Sequence, residues 1–255
     1  MKRFFFSLIA LAAVAASCTQ SALVETPDLN GTEITFNPYT GRTPVTKAQE
    51  VVGPTGLASA GGFQVYCFLD KKDNSSLVSY INNGHVTSTN GSSWTYDGLV
   101  YWPDASSEST LSFVGYSSNA VLGVDKTAGT EDDPEFAITT TNGLASGFTF
   151  SVPQSIDEQV DLLATAYQED LKLGKGVSND GKVILNFQHL LSRVGFKVQT
   201  STKKKVIITG LSLSGQMPIN GALTFARAKG TSIPALVTGS RVETQYTYIE
   251  NGNNH

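Results

Sequence analysis

Cys18 is the residue whose surroundings most clearly prescribe a reaction. It follows Ala15-Ala16-Ser17, behind an apolar run from Phe4 to Ala16 that Lys2 and Arg3 precede. A positive start, a short apolar stretch and small residues ahead of the cleavage point are the parts of a secretory signal peptide. A Cys directly after those small residues is a lipid acceptor, because a lipoprotein signal peptidase admits only small side chains there. The expectation is a signal peptide over 1–17, lipidation of Cys18 and a mature chain of 238 residues. The apolar run is too short to span a bilayer as a mature helix.

Other reactive side chains lack the neighbours that chemistry needs. Cys67 sits in the apolar run Phe63 to Leu69 and has no second Cys once Cys18 carries lipid. It reads as a small buried hydrophobe, with no base placed to make it a nucleophile. The three His residues are His85, beside a turn, His189, flanked by apolar strand positions, and the terminal His255. Their spacing supports no metal site with Cys. No nucleophile elbow, Walker loop or complete dinucleotide fingerprint is present, since Gly174-Lys175-Gly176 is followed by Asn179 where the last Gly belongs. The acidic stretch 125–135 lacks EF-hand spacing and reads as a solvated loop. Lys203-Lys204-Lys205 reads as a hairpin turn or an edge guard beside a strand. The sequence thus assigns no catalytic residue, no metal and no cofactor. Trp94, Tyr96, Tyr101 and Trp102 are the remaining cluster with a recognisable use. Such aromatics either pack across strands or line a glycan platform, with Trp94 and Trp102 as its contacts.

The elements that position these residues are strands. Charged residues are 16%, against roughly 25% in typical soluble domains, and Ser, Thr, Asn and Gly take their place. A net charge of −4 leaves no basic patch for nucleic acid. Asn-Gly or Asp-Gly pairs recur at 83, 90, 97, 142, 180, 220 and 251, and such pairs supply the positive φ of tight turns. Between them lie short runs rich in β-branched and aromatic residues, such as 111–116, 148–152 and 206–209. No segment sustains a helical period; 157–171 is the nearest, as a short helix or a strand. The fold class is all-β.

Residues 18–31 read as a tether. The polar, Gly-rich stretch 172–181 reads as a boundary between an N-terminal sandwich over 32–171 and a C-terminal one over 182–255. The second is short for a sandwich. Val242 to Ile249 forms a strand with no partner after it, so this domain is expected to be incomplete, or its last strand to pair with another molecule.

Three blocks together resemble the fimbrillin family, the lipoprotein pilin precursors and adhesins of Bacteroidetes surfaces. They are Tyr101-Trp102-Pro103 with 111–117, Phe150 to Pro153 leading to Gln159-Val160-Asp161-Leu162-Leu163-Ala164-Thr165-Ala166, and Val183 to Val198. The last contains Phe187-Gln188-His189-Leu190-Leu191-Ser192-Arg193, similar to the family's F-x-H-A-L-S-[KR] pattern with Leu190 in place of Ala. The resemblance implies two transthyretin-like β-sandwich domains, export as a lipoprotein to the outer membrane and cell surface, and a structural or adhesive role without catalysis. It implies removal of the first strand by a trypsin-like protease, and a groove that then accepts a strand from another fimbrial subunit. The surface ligand could be of host or bacterial origin. Thr19-Gln20-Ser21 after Cys18 lacks the acidic pair often associated with surface export, so surface display follows from the resemblance alone.

The sequence holds the parts for that scheme. Thr32 to Asn37 alternates, with Ile34 and Phe36 on one face, as a removable strand requires. Arg42 and Lys47 follow it as candidate cleavage residues. Val242, Thr244, Tyr246 and Tyr248 share a strand face, either as a donor strand or as an internal strand of an incomplete domain. A glycan-binding surface lipoprotein that does not polymerise is the alternative reading.

Overall fold

In the computed structural model the described residues are 31–40, 51, 53–71, 77–104, 106–118, 136–177, 180–196, 199, 201, 206–225, 237–239, 241–250 and 253–254. Cys18, Arg42, Lys47, the acidic stretch 125–135 and the Lys203-Lys204-Lys205 triplet lie outside them.

Strands dominate, as expected. They are β1 (Thr35–Thr40), β2 (Phe63–Asp70), β3 (Leu77–Thr87), β4 (Thr95–Tyr96), β5 (Thr110–Ser117), β6 (Phe136–Thr141), β7 (Leu144–Ser151) and β8 (Leu163–Thr165). There follow β9 (Gln168–Leu173), β10 (Gly176–Val177), β11 (Lys182–His189), β12 (Gly210–Pro218), β13 (Asn220–Thr224), β14 (Val237–Thr238), β15 (Arg241–Glu250) and β16 (Asn253–Asn254). One short helix, α1 (Gly53–Ser59), precedes β2. The sequence reading missed it because its two Gly residues disfavour helix and Pro54 reads as a breaker. Pro is tolerated in a first turn, where its missing N–H has no helical partner.

The largest sheet runs β1-β11-β8-β5-β2-β3-β4, with β9 beside β5 and β10 beside β9. β2 and β5 lie at its centre and are buried on both faces. Phe63, Val65, Cys67, Leu111 and Phe113 face one cluster, which Leu57 of α1 and Trp94 and Trp102 complete. Tyr66, Phe68, Val114 and Tyr116 face the other, against Phe148 and Phe150 of β7 and Leu223 of β13. Those strands belong to the sheet β14-β13-β7-β6, so the two sheets pack as a sandwich. The Tyr116 ring lies 5.4 Å from Phe136 and 6.0 Å from Phe148. A third sheet, β12-β15-β16, pairs β12 and β15 in antiparallel fashion.

The expected boundary at 172–181 does not divide the strands. β11 pairs with β8 and β1 in the large sheet, and β13 pairs with β7. The Gly-rich stretch is a tight turn between β9 and β10, with φ of 72° at Gly174 and 81° at Gly176. Turn chemistry and linker chemistry use the same residues. Two of the Asn-Gly pairs are also corrected. Asn83-Gly84 lies inside β3, opposite a register shift between Val65 and Cys67, and Asn220-Gly221 lies inside β13. At Asn83 the positive φ of 53° serves a bulge. Asn142-Gly143 does form the hairpin between β6 and β7. Residues 157–171 hold β8 and the start of β9 after a turn, which is the strand reading of that segment.

Candidate functional site

β1 is the edge strand of the large sheet, and its seat is the site that the sequence reading singled out. Its inward side chains form a row through the core. Ile34, just before the strand, is fully buried; Phe36, Pro38 and Thr40 follow it inward, while Asn37 and Tyr39 face out. The alternation is the one that sequence period predicts. Phe36 packs at 5.4 Å from Tyr96, 6.0 Å from Phe63 and 6.1 Å from Phe113, in edge-on arrangements that suit aromatic quadrupoles. Pro38 fits this position because an edge strand has a side on which no ladder donor is needed.

The pairing is parallel. Phe36 lies opposite Val183, Pro38 opposite Leu185 and Thr40 opposite Phe187 on β11. The start of β1 is held on both flanks. On one flank Thr35 N–H donates to Gly181 O at 3.2 Å. On the other, Ile34 N–H donates to Val100 O and Trp102 N–H donates to Thr32 O, each at 2.9 Å, around an antiparallel bridge between Glu33 and Tyr101. β1 therefore closes the sheet between β11 and the segment 100–102. Without it, backbone groups on both flanks lose partners and an apolar groove opens over Phe63, Phe113 and Phe187.

Three residues of this seat had no place in the sequence reading of the strand. The Tyr96 hydroxyl donates to Ile34 O at 3.0 Å and accepts from Val100 N–H at 3.2 Å. Burial pushes its pKa up to about 12, partly offset by the Val100 hydrogen bond. Trp102 Nε1–H donates to Gly181 O at 3.0 Å. Gly181 has φ +71°, and a Cβ there would lie 2.3 Å from Glu33 O. That close approach needs Gly on both counts.

The aromatic-platform reading of Trp94 and Trp102 is overturned. Their exposures are 7% and 5%. Both indoles are core residues, and Trp94 Nε1–H donates to Gly91 O at 3.1 Å. The spacing of these aromatics served packing across the seat. Cys67 is buried in the same core, and burial pushes its thiol pKa well up, so it stays a protonated hydrophobe.

An alkaline titration tests the role of Tyr96. A buried phenol with a raised pKa contributes stability that is complete below pH about 10 and is lost as pH rises towards 12. Ionised Tyr96 also has no proton for Ile34 O. Chemical denaturation between pH 8 and 11 is expected to show falling stability, and the Tyr96→Phe variant a flatter decline from a lower start. An equally steep decline in the variant would assign the effect to other groups, such as Tyr116, whose pKa burial also raises.

The donor-strand candidates lie on β15. Val242, Thr244 and Tyr246 pair with Met217, Gly215 and Leu213 of β12. Tyr246 is buried and Val242 is 45% exposed; the Tyr248 side chain lies outside the described residues. Among the described residues, β16 pairs with Ile249 and Glu250 on the other edge of β15.

Two blocks noted separately in the sequence meet here. His189, from the third block, donates from Nδ1 to Asp161 Oδ1, from the second, at 2.8 Å. The pair sits at the end of β11 next to the end of β1, where Thr40 lies opposite Phe187. Neither partner can be read from the other in sequence.

Comparison with known proteins adds the family. None of the curated proteins gives a significant match. Among solved structures, a fimbrial protein from Bacteroides vulgatus superposes with a TM-score of 0.50 at 19% identity, over 87% of this chain and 72% of that one. That likeness is one of fold. A family model described as fimbrillin-like matches residues 46–249, beginning between Arg42 and Lys47 and running through the β-sandwich and on into β15. With four fifths of its length in that match, this chain belongs to the fimbrillin-like family.

Proposed function

We propose that this protein is a structural subunit or accessory adhesin of a fimbrium, without catalytic activity, whose first strand is a removable plug. In this reading Cys18 carries lipid and anchors the precursor in the outer membrane. A trypsin-like protease cuts after Arg42 or Lys47, and the vacated seat takes a strand from another subunit. β15, through Val242, Thr244, Tyr246 and Tyr248, is the donor candidate. The packed sheets would then be a transthyretin-like sandwich.

The observation that carries this reading is the seating of β1. An edge strand whose inward row is Ile34, Phe36, Pro38 and Thr40 contributes core that no other strand supplies. Covalent attachment through residues 41–50 keeps it at high effective concentration. A cut in that stretch leaves the described contacts of β1 in place. It removes the tether, and a neighbour's strand can then compete for the same groove.

Mass spectrometry of surface material tests the processing step. The expected new N-terminus is Thr43 or Ala48, and the double variant Arg42→Ala, Lys47→Ala is expected to remain uncut and unassembled. Fimbriae built from chains that still carry residues 32–40 would overturn the reading.

A further inference from the structure

The stretch that holds both candidate cleavage residues lies between Thr40 and Val51 in the sequence. Its downstream end is fixed by a side chain. Val51 N–H donates to Asp161 Oδ2 at 2.9 Å, and the Val51 side chain is buried in the core beneath α1. The other carboxylate oxygen, Oδ1, takes the proton of His189 Nδ1 at 2.8 Å. His189 and Asp161 side chains are 8% and 12% exposed. The Asp161 backbone is fixed in turn: Ser117 Oγ donates to Asp161 O at 3.0 Å and accepts from Leu163 N–H at 2.7 Å. His189 Nε2 is buried without a hydrogen-bond partner among the described residues. An unpaired buried nitrogen costs stability, and the bond from Nδ1 to the carboxylate offsets part of that cost. That bond orients the carboxylate that receives Val51.

We propose that Asp161, positioned by His189, is a retention clasp for the chain downstream of the cut. The inference rests on the plug reading of β1. Proteolysis in 41–50 frees two ends. The upstream end carries β1, whose loss opens the groove. The downstream end leads into Val51 and α1, and Leu57 of α1 covers part of the same core. Were both ends to leave, the groove would lose a wall as well as its plug. The clasp separates the two: it holds Val51 through a charge-assisted hydrogen bond that does not depend on β1. His189 is accordingly a positioning residue and Asp161 the contact.

The test is made on the full mature chain with a specific protease recognition sequence substituted within 43–47, so the cut does not depend on any natural processing enzyme. Amide hydrogen exchange is read by NMR before and after cleavage. In the natural background Val51 N–H is expected to stay protected after the cut. In cut Asp161→Asn it is expected to exchange at least tenfold faster, with the Phe113 and Val114 amides unchanged. His189→Gln, which leaves the carboxylate in place, is expected to show a smaller increase and serves if the Asp161 variant fails to fold. Equal exchange of Val51 in the cut natural chain and the cut Asp161 variant, whether both fast or both slow, would overturn the clasp. Absence of natural cleavage at Arg42 or Lys47 would instead count against the plug reading and leave this result standing.

Discussion

Phe36→Ala is expected to lower the unfolding free energy of the uncut protein by about 3–5 kcal/mol, the range for emptying a buried Phe site. Phe36 is 4% exposed and touches three other rings from an edge strand. Collapse of the cavity is opposed on two sides. The backbone of β1 is pinned by Val100, Gly181 and Tyr96, and Phe63 and Phe113 belong to the central strands. The loss therefore lies at the upper end of what an edge position shows. The same variant is expected to release its first strand faster after cleavage, because the side chain removed is the one that anchors the strand in the groove. Denaturant unfolding of the uncut chain and release of the first-strand fragment from the cut chain read the two effects. A large loss of stability with unchanged release would mean that Phe36 holds the core together without holding the strand.

Gly181→Val is the second large effect. The residue stands at φ +71°, where a β-branched side chain is strained by about 1–3 kcal/mol. The Cβ would also meet Glu33 O at 2.3 Å and Trp102 Nε1 at 3.0 Å. Glu33 O is backbone, so it moves only if the start of β1 moves. The Thr35 and Trp102 bonds to Gly181 O are disturbed with it. Gly98→Val is the control, since Gly98 has φ +73° with nothing within 4 Å of the Cβ position. Its loss measures strain alone. The excess in Gly181→Val measures the clash, and hydrogen exchange is expected to place that excess at Ile34 to Thr40. An excess spread evenly over β2 and β5 would show that Gly181 serves the sheet and not the strand.

The inward face of β1 was legible in the sequence because period 2 assigns faces directly. Its neighbour was not. Alternation says which side chains turn inward but nothing about which strand lies beside them. β11, the parallel partner, follows more than a hundred residues later. The same limit explains Trp94 and Trp102. Spacing gathers aromatics on a strand pair, but only the path of β1 and α1 over them decides whether they are covered. Gly181 appeared in the sequence as half of a turn dipeptide, which accounts for its φ but not for the carbonyl pressed against it. Asp161 and His189 were each inside a block that pointed to the family. Their contact depends on β8 and β11 being neighbours, which the expected boundary at 172–181 had placed in different domains.

The central claim is that the seat of β1 is an exchangeable strand site, and a peptide competition measures this most directly. Mature protein is cleaved within 41–50 and mixed with a labelled peptide of residues 32–40. The resident strand is expected to leave and the peptide to take its place in one-to-one ratio. Excess peptide should suppress oligomers that form in its absence, and a peptide with Ile34→Asp and Phe36→Asp should do neither. A cleaved protein that keeps its own first strand, stays monomeric and ignores the peptide would contradict the account.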